Sequence, residues 1–435
     1  MHLQKKEYML NWISRIVLFF SFCLTTNILA QPSNYIINDI QYTGYKKNKL
    51  SYLKKFVQAS VGQPLNLEQL KKDENHLEQL VGVYNADVKI DTLKQNQVNL
   101  TFQITEQRTL LPIFGIGGIK DNFWYQLGVS EYNFRGRSQT LLAYFLSNDK
   151  VPNGKIYFQN DRINGGDWGF AIDLQRTGSI EPLFFPDATV VYTYKNTGIG
   201  GSIFRSIDYD KRVDFGMTFF REDYEKNMER NPLPNSPGPE MLIQDKLLLK
   251  LGFNLNHIGY DYFYRTGTQM NILSQYVLNV DDKSEFISIA FEGKKFWRPY
   301  PTTNFAAKLR VAFASNNDSP FAPFVVDSQT NIRGVGNRVD RGTGQLVLNL
   351  ELRQTLIDHP YWASQLVIFS DLGTWRNPGG TINDFIDPDL FRQFVGGGIR
   401  FINKKIHRAI VRIDYGVDIF NMEQRGIVVG IGQYF

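Results

Sequence analysis

Cysteine is almost missing from this 435-residue chain, with Cys23 the only one. It stands inside the apolar stretch Ile16 to Leu24 and follows Phe22, where a lipid-attachment cysteine would need a small residue. A mature chain lacking that stretch has no disulfide framework and no thiolate chemistry. Histidine is scarce too: five are scattered without the spacing of a metal site. There is no P-loop and no nucleophile elbow, and Gly115-Ile116-Gly117-Gly118 reads as strand glycine with no helix after it. Asp281-Asp282 reads as a turn. No catalytic residue, cofactor or metal is therefore expected, and the chain is not expected to be an enzyme. The formal charge is +5, of which Lys5, Lys6 and Arg15 against Glu7 supply two, and the remainder is too small to imply nucleic acid. Beyond the N-terminal stretch no apolar run approaches the roughly 20 residues of a membrane-spanning helix.

What the chain does have is 14% aromatics and 36 glycines under a mildly negative mean hydropathy. Residues 1–31 combine a basic start, the apolar stretch and a polar finish, Thr25-Thr26-Asn27, before Ile28-Leu29-Ala30-Gln31. That is the pattern of a secretory signal peptide, with Met9 an alternative start. Residues 32–107 predict a small α+β domain. A strand opens with Ile36, Ile37 and Ile40 and ends at Thr43-Gly44. Helices follow over Ser51 to Gln58 and from Asn66, where Gln69 three residues on completes a capping box. Leu67, Leu70, Leu77 and Leu80 recur at helical spacing, Gly82 ends the helix, and strands follow over Ala86 to Asp91 and Gln97 to Thr105.

From residue 108 to 435 the period becomes two. Leu247, Leu249, Leu251, Phe253 and Leu255 alternate with Lys246, Lys250, Asn254 and Asn256. Phe305 to Phe313 and Leu346 to Leu352 repeat the split. One apolar face and one wet face fit a transmembrane β-barrel, where a lysine or arginine on the lipid face near mid-bilayer costs roughly 2 to 4 kcal/mol. A soluble sandwich would alternate similarly; the leader, the length of the run and the terminal aromatic favour the barrel. The segments begin near Leu110, Trp124, Thr140, Lys155, Gly169, Gly198, Arg212, Lys246, Thr268, Phe286, Phe305, Gln345, Gln365, Phe394, Ile410 and Ile427. That makes about sixteen strands, an even number that puts both chain ends on one side. Two connections are long, Glu225 to Ile243 and Ser315 to Thr343.

Several short motifs carry a resemblance. In the α+β domain they are Tyr42-Thr43-Gly44, Val61-Gly62-Gln63-Pro64, Gly82-Val83-Tyr84 and Glu106, which resemble a POTRA domain. In the barrel they are Tyr132-Asn133-Phe134-Arg135-Gly136-Arg137-Ser138-Gln139, Asn331-Ile332-Arg333-Gly334-Val335, Asn349-Leu350-Glu351-Leu352-Arg353, Val367 to Gly373, Val411 to Gly416 and the terminal Gly430-Ile431-Gly432-Gln433-Tyr434-Phe435. In that order they resemble the BamA/TamA superfamily of outer-membrane assembly and secretion proteins, although Val335 replaces the usual aromatic.

The resemblance implies an outer-membrane barrel of about sixteen strands with one periplasmic POTRA-like domain. It implies that the loop bearing Arg333 folds into the lumen and meets Asp371, with Glu351 and Asp414 as further partners. A guanidinium fork suits this because it binds carboxylates bidentately and stays charged; the bland alternative is an exposed Arg-Gly turn. It implies a lateral gate between Leu110 to Gly118 and Ile427 to Phe435, where Gly115, Gly117, Gly118, Gly430 and Gly432 weaken the strands or simply make room. Phe435 reads as a girdle aromatic at the membrane boundary and, with Ile431 and Gln433, as a terminal assembly signal. The POTRA-like domain is either a strand-accepting surface for clients or a rigid base. The implied partners are the lipid bilayer, unfolded outer-membrane or secreted polypeptides, and periplasmic or lipoprotein partners. Insertion of outer-membrane proteins is the first expectation, secretion of a partner polypeptide the second, and simple diffusion the third.

Overall fold

The computed structural model describes residues 35–435 apart from 120–121, 149–150, 186–187, 230–236, 262, 317–321, 327–330, 336–339 and 407–408. The leader and Cys23 lie outside the described residues.

The N-terminal domain runs β1 (Ile36–Thr43), α1 (Leu50–Leu53), α2 (Leu67–Glu78), β2 (Val83–Thr92) and β3 (Gln97–Glu106). β3 lies in the middle of its sheet, parallel to β1 and antiparallel to β2. Leu70 and Leu77 of α2 pack with Leu53, Leu100 and Phe102 in one buried core. Asn66 caps α2 by accepting the Gln69 backbone N–H at 3.1 Å. The Gln69 side chain goes forward to Asp73 at 2.8 Å, so the expected reciprocal half of the box is absent. α1 is shorter than the predicted Ser51 to Gln58. Lys54–Phe56 tighten into a 3-10 turn, and Asp73 takes the backbone N–H groups of Gln58 and Ala59, both at 3.0 Å, drawing the chain out of helical geometry.

Three residues later the barrel begins. Its first eleven strands are β4 (Leu110–Ile119), β5 (Asn122–Phe134), β6 (Gln139–Asn148), β7 (Val151–Asn160), β8 (Trp168–Phe185), β9 (Ala188–Ser206), β10 (Lys211–Lys226), β11 (Met241–Asp261), β12 (Tyr264–Asn279), β13 (Glu285–Tyr300) and β14 (Thr303–Ala314). The long connection that follows holds a two-stranded ribbon, β15 (Phe324–Val326) with β16 (Asp340–Gly342). The last five are β17 (Gly344–Asp358), β18 (Trp362–Arg376), β19 (Arg392–Asn403), β20 (Ile410–Asp418) and β21 (Arg425–Ile431). Sixteen strands form one antiparallel sheet in chain order, with β14 beside β17. β9 starts ten residues before the predicted Gly198, because the β8–β9 hairpin stays paired up to Phe185 and Ala188. The outer face carries Ile199, Ile203, Phe215, Met217 and Phe219, all about half exposed. The inner face carries charges such as Glu222 with Lys246 and Lys294 with Glu292. This is the two-faced pattern that alternation demands.

The N-terminal domain sits against the near end of the barrel. The β5–β6 turn is its main seat: Lys49 N–H donates to the Gly136 carbonyl at 3.0 Å, and Asn133 donates to the Asn48 side chain at 3.0 Å. Gly136 has φ +69°, and a Cβ there would stand 2.0 Å from the Lys47 carbonyl oxygen. On the other side His76 of α2 stacks on Tyr209 of the β9–β10 turn at 4.4 Å between ring centres. The Tyr209 hydroxyl donates to the Lys55 carbonyl at 2.5 Å.

Candidate functional site

On the inner wall, the β17–β18 register sets Asn349 opposite Asp371 and Glu351 opposite Phe369. Residues two apart on a strand share a face, so these four form a patch facing the lumen. Arg333, from the connection after β14, lies on it and is fully buried. Its backbone N–H and Nε both reach Asp371 Oδ2, at 2.9 and 2.8 Å, and Nη2 reaches Asp371 Oδ1 at 2.8 Å. Nη1 donates to Glu351. The guanidinium also lies 3.7 Å from the Phe369 ring centre and 4.2 Å from that of Tyr434. Asn349 ties the loop down by donating to Asp371 Oδ1 at 2.8 Å and to the Asn331 carbonyl at 2.7 Å. Ile332 is buried beside Trp375 and Phe394. Val335, half-buried, packs on the same group.

Asp414 does not bond Arg333. It faces inward from β20, where Arg400 binds it at 2.7 Å and Arg412 lies 3.6 Å away. Alternation fixed its face, but β19 stands between β20 and β18, and Arg400 on β19 intercepts the carboxylate. Glu351 is shared among Arg333, Arg353 at 2.6 Å and Arg400 at 3.6 Å. The result is one buried ionic cluster across β17 to β20, with the loop arginine at its centre.

Glycine decides how close the loop comes. Gly334 has φ +93° and lies flat on β20; a Cβ on Gly416 would meet the Arg333 carbonyl oxygen at 2.5 Å. A Cβ on Gly426 of β21 would stand 2.9 Å from the Gly334 carbonyl oxygen. The loop thus spans the barrel from β18 to the last strand. Gly416 stood in a quoted motif, but its role as a landing site for the loop was missed, as was that of Gly426.

The end of the chain corrects another expectation. β21 stops at Ile431, and Gly432, at φ +88°, turns the chain into the lumen. Tyr434 and Phe435 are buried there with Phe296 and Ala306, so Phe435 is not a girdle aromatic. The Phe435 carbonyl accepts from Arg353 Nη2 at 3.1 Å, and Tyr434 also lies 4.8 Å from Arg412. The cause is electrostatic as well as steric: lumenal arginines offer ring faces a better partner than lipid does. Gln433 accepts from Arg400 at 3.3 Å, and Ile431 remains on the outer face.

Among the described residues, no ladder joins β4 to β21. Gly115, Gly117 and Gly118 of β4 pair only with β5, opposite Gln126, Trp124 and Phe123. Gly430 pairs with Arg412 of β20. Below the seam, Arg108 N–H donates to the carbonyl of Lys405 in the β19–β20 turn at 3.0 Å. No group of residues that could hold a metal ion occurs among the described residues.

A sixteen-stranded barrel with one small βααββ domain, an inward arginine loop and an unzipped seam defines a class, the POTRA-plus-barrel proteins. Residues 35–107 match the family model POTRA, described as surface antigen variable number repeat. The chain shares its fold with BamA from Haemophilus ducreyi lacking POTRA domains 1–3, at 16% identity and a TM-score of 0.54 over 92% of this chain and 85% of that one. CdiB from Acinetobacter baumannii matches at 14% and 0.53, over 91% and 73%. CdiB from Escherichia coli matches at 10% and 0.57, over 91% and 75%. No curated protein matches the sequence.

Proposed function

We propose that this protein handles other polypeptides at the bacterial outer membrane, inserting them through the seam between β4 and β21, with its POTRA-like domain in the periplasm. The seam carries the reading. A strand edge with free N–H and C=O groups templates an incoming strand, while the likeness in fold to BamA and to CdiB alike supports handling of polypeptides in general. Within the sixteen-stranded sheet β5 to β14 and β17 to β20 have a neighbour on each side, so a client strand joining that sheet would pair at β4 or β21. The lumen beside the seam is filled by the Arg333 loop and by Tyr434 and Phe435, which favours exit sideways over passage through the centre. No group on these surfaces is assigned chemistry on a substrate, and the protein is read as a non-enzyme.

The test is to lock the seam. Gly117→Cys with Gly430→Cys, and neighbouring pairs along both strands, are screened in a Cys23→Ser background until one cross-links. The locked barrel is expected to lose its assembly activity and regain it on reduction. Full activity while locked would instead support passage of a partner polypeptide through the lumen.

A further inference from the structure

Just above the Arg108–Lys405 contact, the seam widens into a slot of about 730 Å³. Its walls are mainly apolar, with Leu111 and Ile113 on the β4 side and Ile402, Ile410, Val411 and Ile431 on the other, and the polar Gln126, Ser130 and Asn403 also line it. Trp362 and Phe401, on the outer face, flank the opening. Directly below lies a second hollow of about 690 Å³, whose lining includes Arg108, Lys404, Lys405 and Lys47 together with the carboxylate Glu106. The acids near it are already engaged. Glu106 accepts the Lys47 and Asn48 backbone N–H groups at 2.9 and 2.8 Å, Glu131 binds Lys47 at 2.7 Å, and Asp358 binds Lys404. Arg108 and Lys405 are exposed and have no carboxylate partner among the described residues. Lys405 rests on the Tyr361 ring at 3.8 Å, a position that holds its ammonium group at the rim.

From this juxtaposition we infer that the foot of the seam is a binding site for one anionic phospholipid. Its acyl chains fill the slot between β4 and β20, and its phosphate sits between Arg108 and Lys405. Apolar walls favour hydrocarbon in proportion to the area removed from water. These two cations, without a carboxylate partner among the described residues, select a negative headgroup, with Arg108 offering a fork and Lys405 a point charge. A client strand would pair with the backbone edges of β4 and β21, whereas the mainly apolar side chains around the slot suit hydrocarbon, and the cations below it suit an anionic headgroup. The bound lipid holds the lower seam apart without closing it. The inference rests on the membrane placement proposed above.

The experiment reconstitutes the full chain in phosphatidylcholine vesicles containing a small fraction of phosphatidylglycerol, extracts it gently, and counts retained lipid by native mass spectrometry. One phosphatidylglycerol per barrel is expected, enriched at least tenfold over its share of the vesicle. Arg108→Glu with Lys405→Glu should abolish the enrichment, while Arg135→Glu, on another turn at the same end, should not. Ile410→Trp, which fills the slot and leaves the cations in place, should reduce retention at least several-fold. Excess glycerophosphate should not displace the lipid, because it lacks acyl chains. A photo-reactive residue at Ile410 should capture lipid; capture of polypeptide alone would overturn the proposal. Equal retention of both lipids, or retention unchanged by both sets of variants, would also overturn it. A chain that forms no heat-modifiable barrel in any vesicle would instead defeat the membrane placement itself.

Discussion

Arg333→Ala is the substitution whose consequence is best defined by the geometry. Alanine keeps the backbone N–H bond to Asp371 but removes two charged bonds to that carboxylate and one to Glu351. The two acids do not suffer equally. Glu351 retains Arg353 and Arg400, whereas Asp371 is left with Asn349 and a backbone N–H. Stranding a fully buried carboxylate costs about 3 to 5 kcal/mol, and losing two ring contacts adds about 1 kcal/mol. The expected loss is therefore roughly 5 kcal/mol, most of it located at Asp371. A double-mutant cycle makes this specific. Asp371→Asn alone leaves Arg333 buried beside Glu351, and the combined variant should be less damaged than the two single costs imply, with a coupling of about 2 kcal/mol or more. Urea unfolding in a fixed detergent gives the free energies, and the temperature at which the barrel loses its compact mobility in SDS gives an independent ranking. Additive single costs, or a wild-type unfolding midpoint for Arg333→Ala, would refute the argument. Arg333→Lys should fall between wild type and alanine, since an ammonium group cannot hold both Asp371 oxygens as a fork does.

Two further outcomes follow from close contacts elsewhere. Gly416→Val places a side chain where the loop backbone already lies, and it should release residues 331–335 to protease or hydrogen exchange at least tenfold faster while the strands stay protected; unchanged protection would refute the landing role. In the N-terminal domain, burial pushes the Glu78 carboxyl up to about 7, partly opposed by the Ala86 N–H bond. A raised carboxyl pKa means stability is full below the unfolded value near 4.5 and is lost as pH rises through about 7. Glu78→Gln should therefore stabilise α2 at pH 8 by about 3 kcal/mol and leave it nearly unchanged at pH 4. Hydrogen exchange of α2 in the full chain, corrected for intrinsic rates, measures this, and an equal effect at both pH values would count against it.

Much of the site was legible because its signal was local. Arg333 and Asp371 sat in short motifs that carry the family resemblance, and Glu351 faced inward by simple alternation. Asp414 shows the limit: period two gives a residue's face but not its distance across the sheet, so Arg400 could not be seen to claim it. Phe435 shows another. The alternation of the last strand implied an aromatic at the rim, but one glycine in the left-handed region reverses the chain. Gly416 and Gly426 are separated by the β20–β21 turn in sequence yet face the same loop, a relation that exists only once register is set.

By itself the sequence determined a small helical-and-stranded domain followed by sixteen two-faced strands, because core periodicity, capping and the cost of charge in lipid act over neighbouring residues. It also determined which side chains would be wet. Tertiary structure alone decided that β4 and β21 share no ladder among the described residues, that the chain end hooks inward onto arginines, and that the foot of the seam joins an apolar slot to Arg108 and Lys405. Each of those depends on residues from tens to hundreds of positions apart meeting around a curved wall, where curvature and register, not local pattern, set the distance.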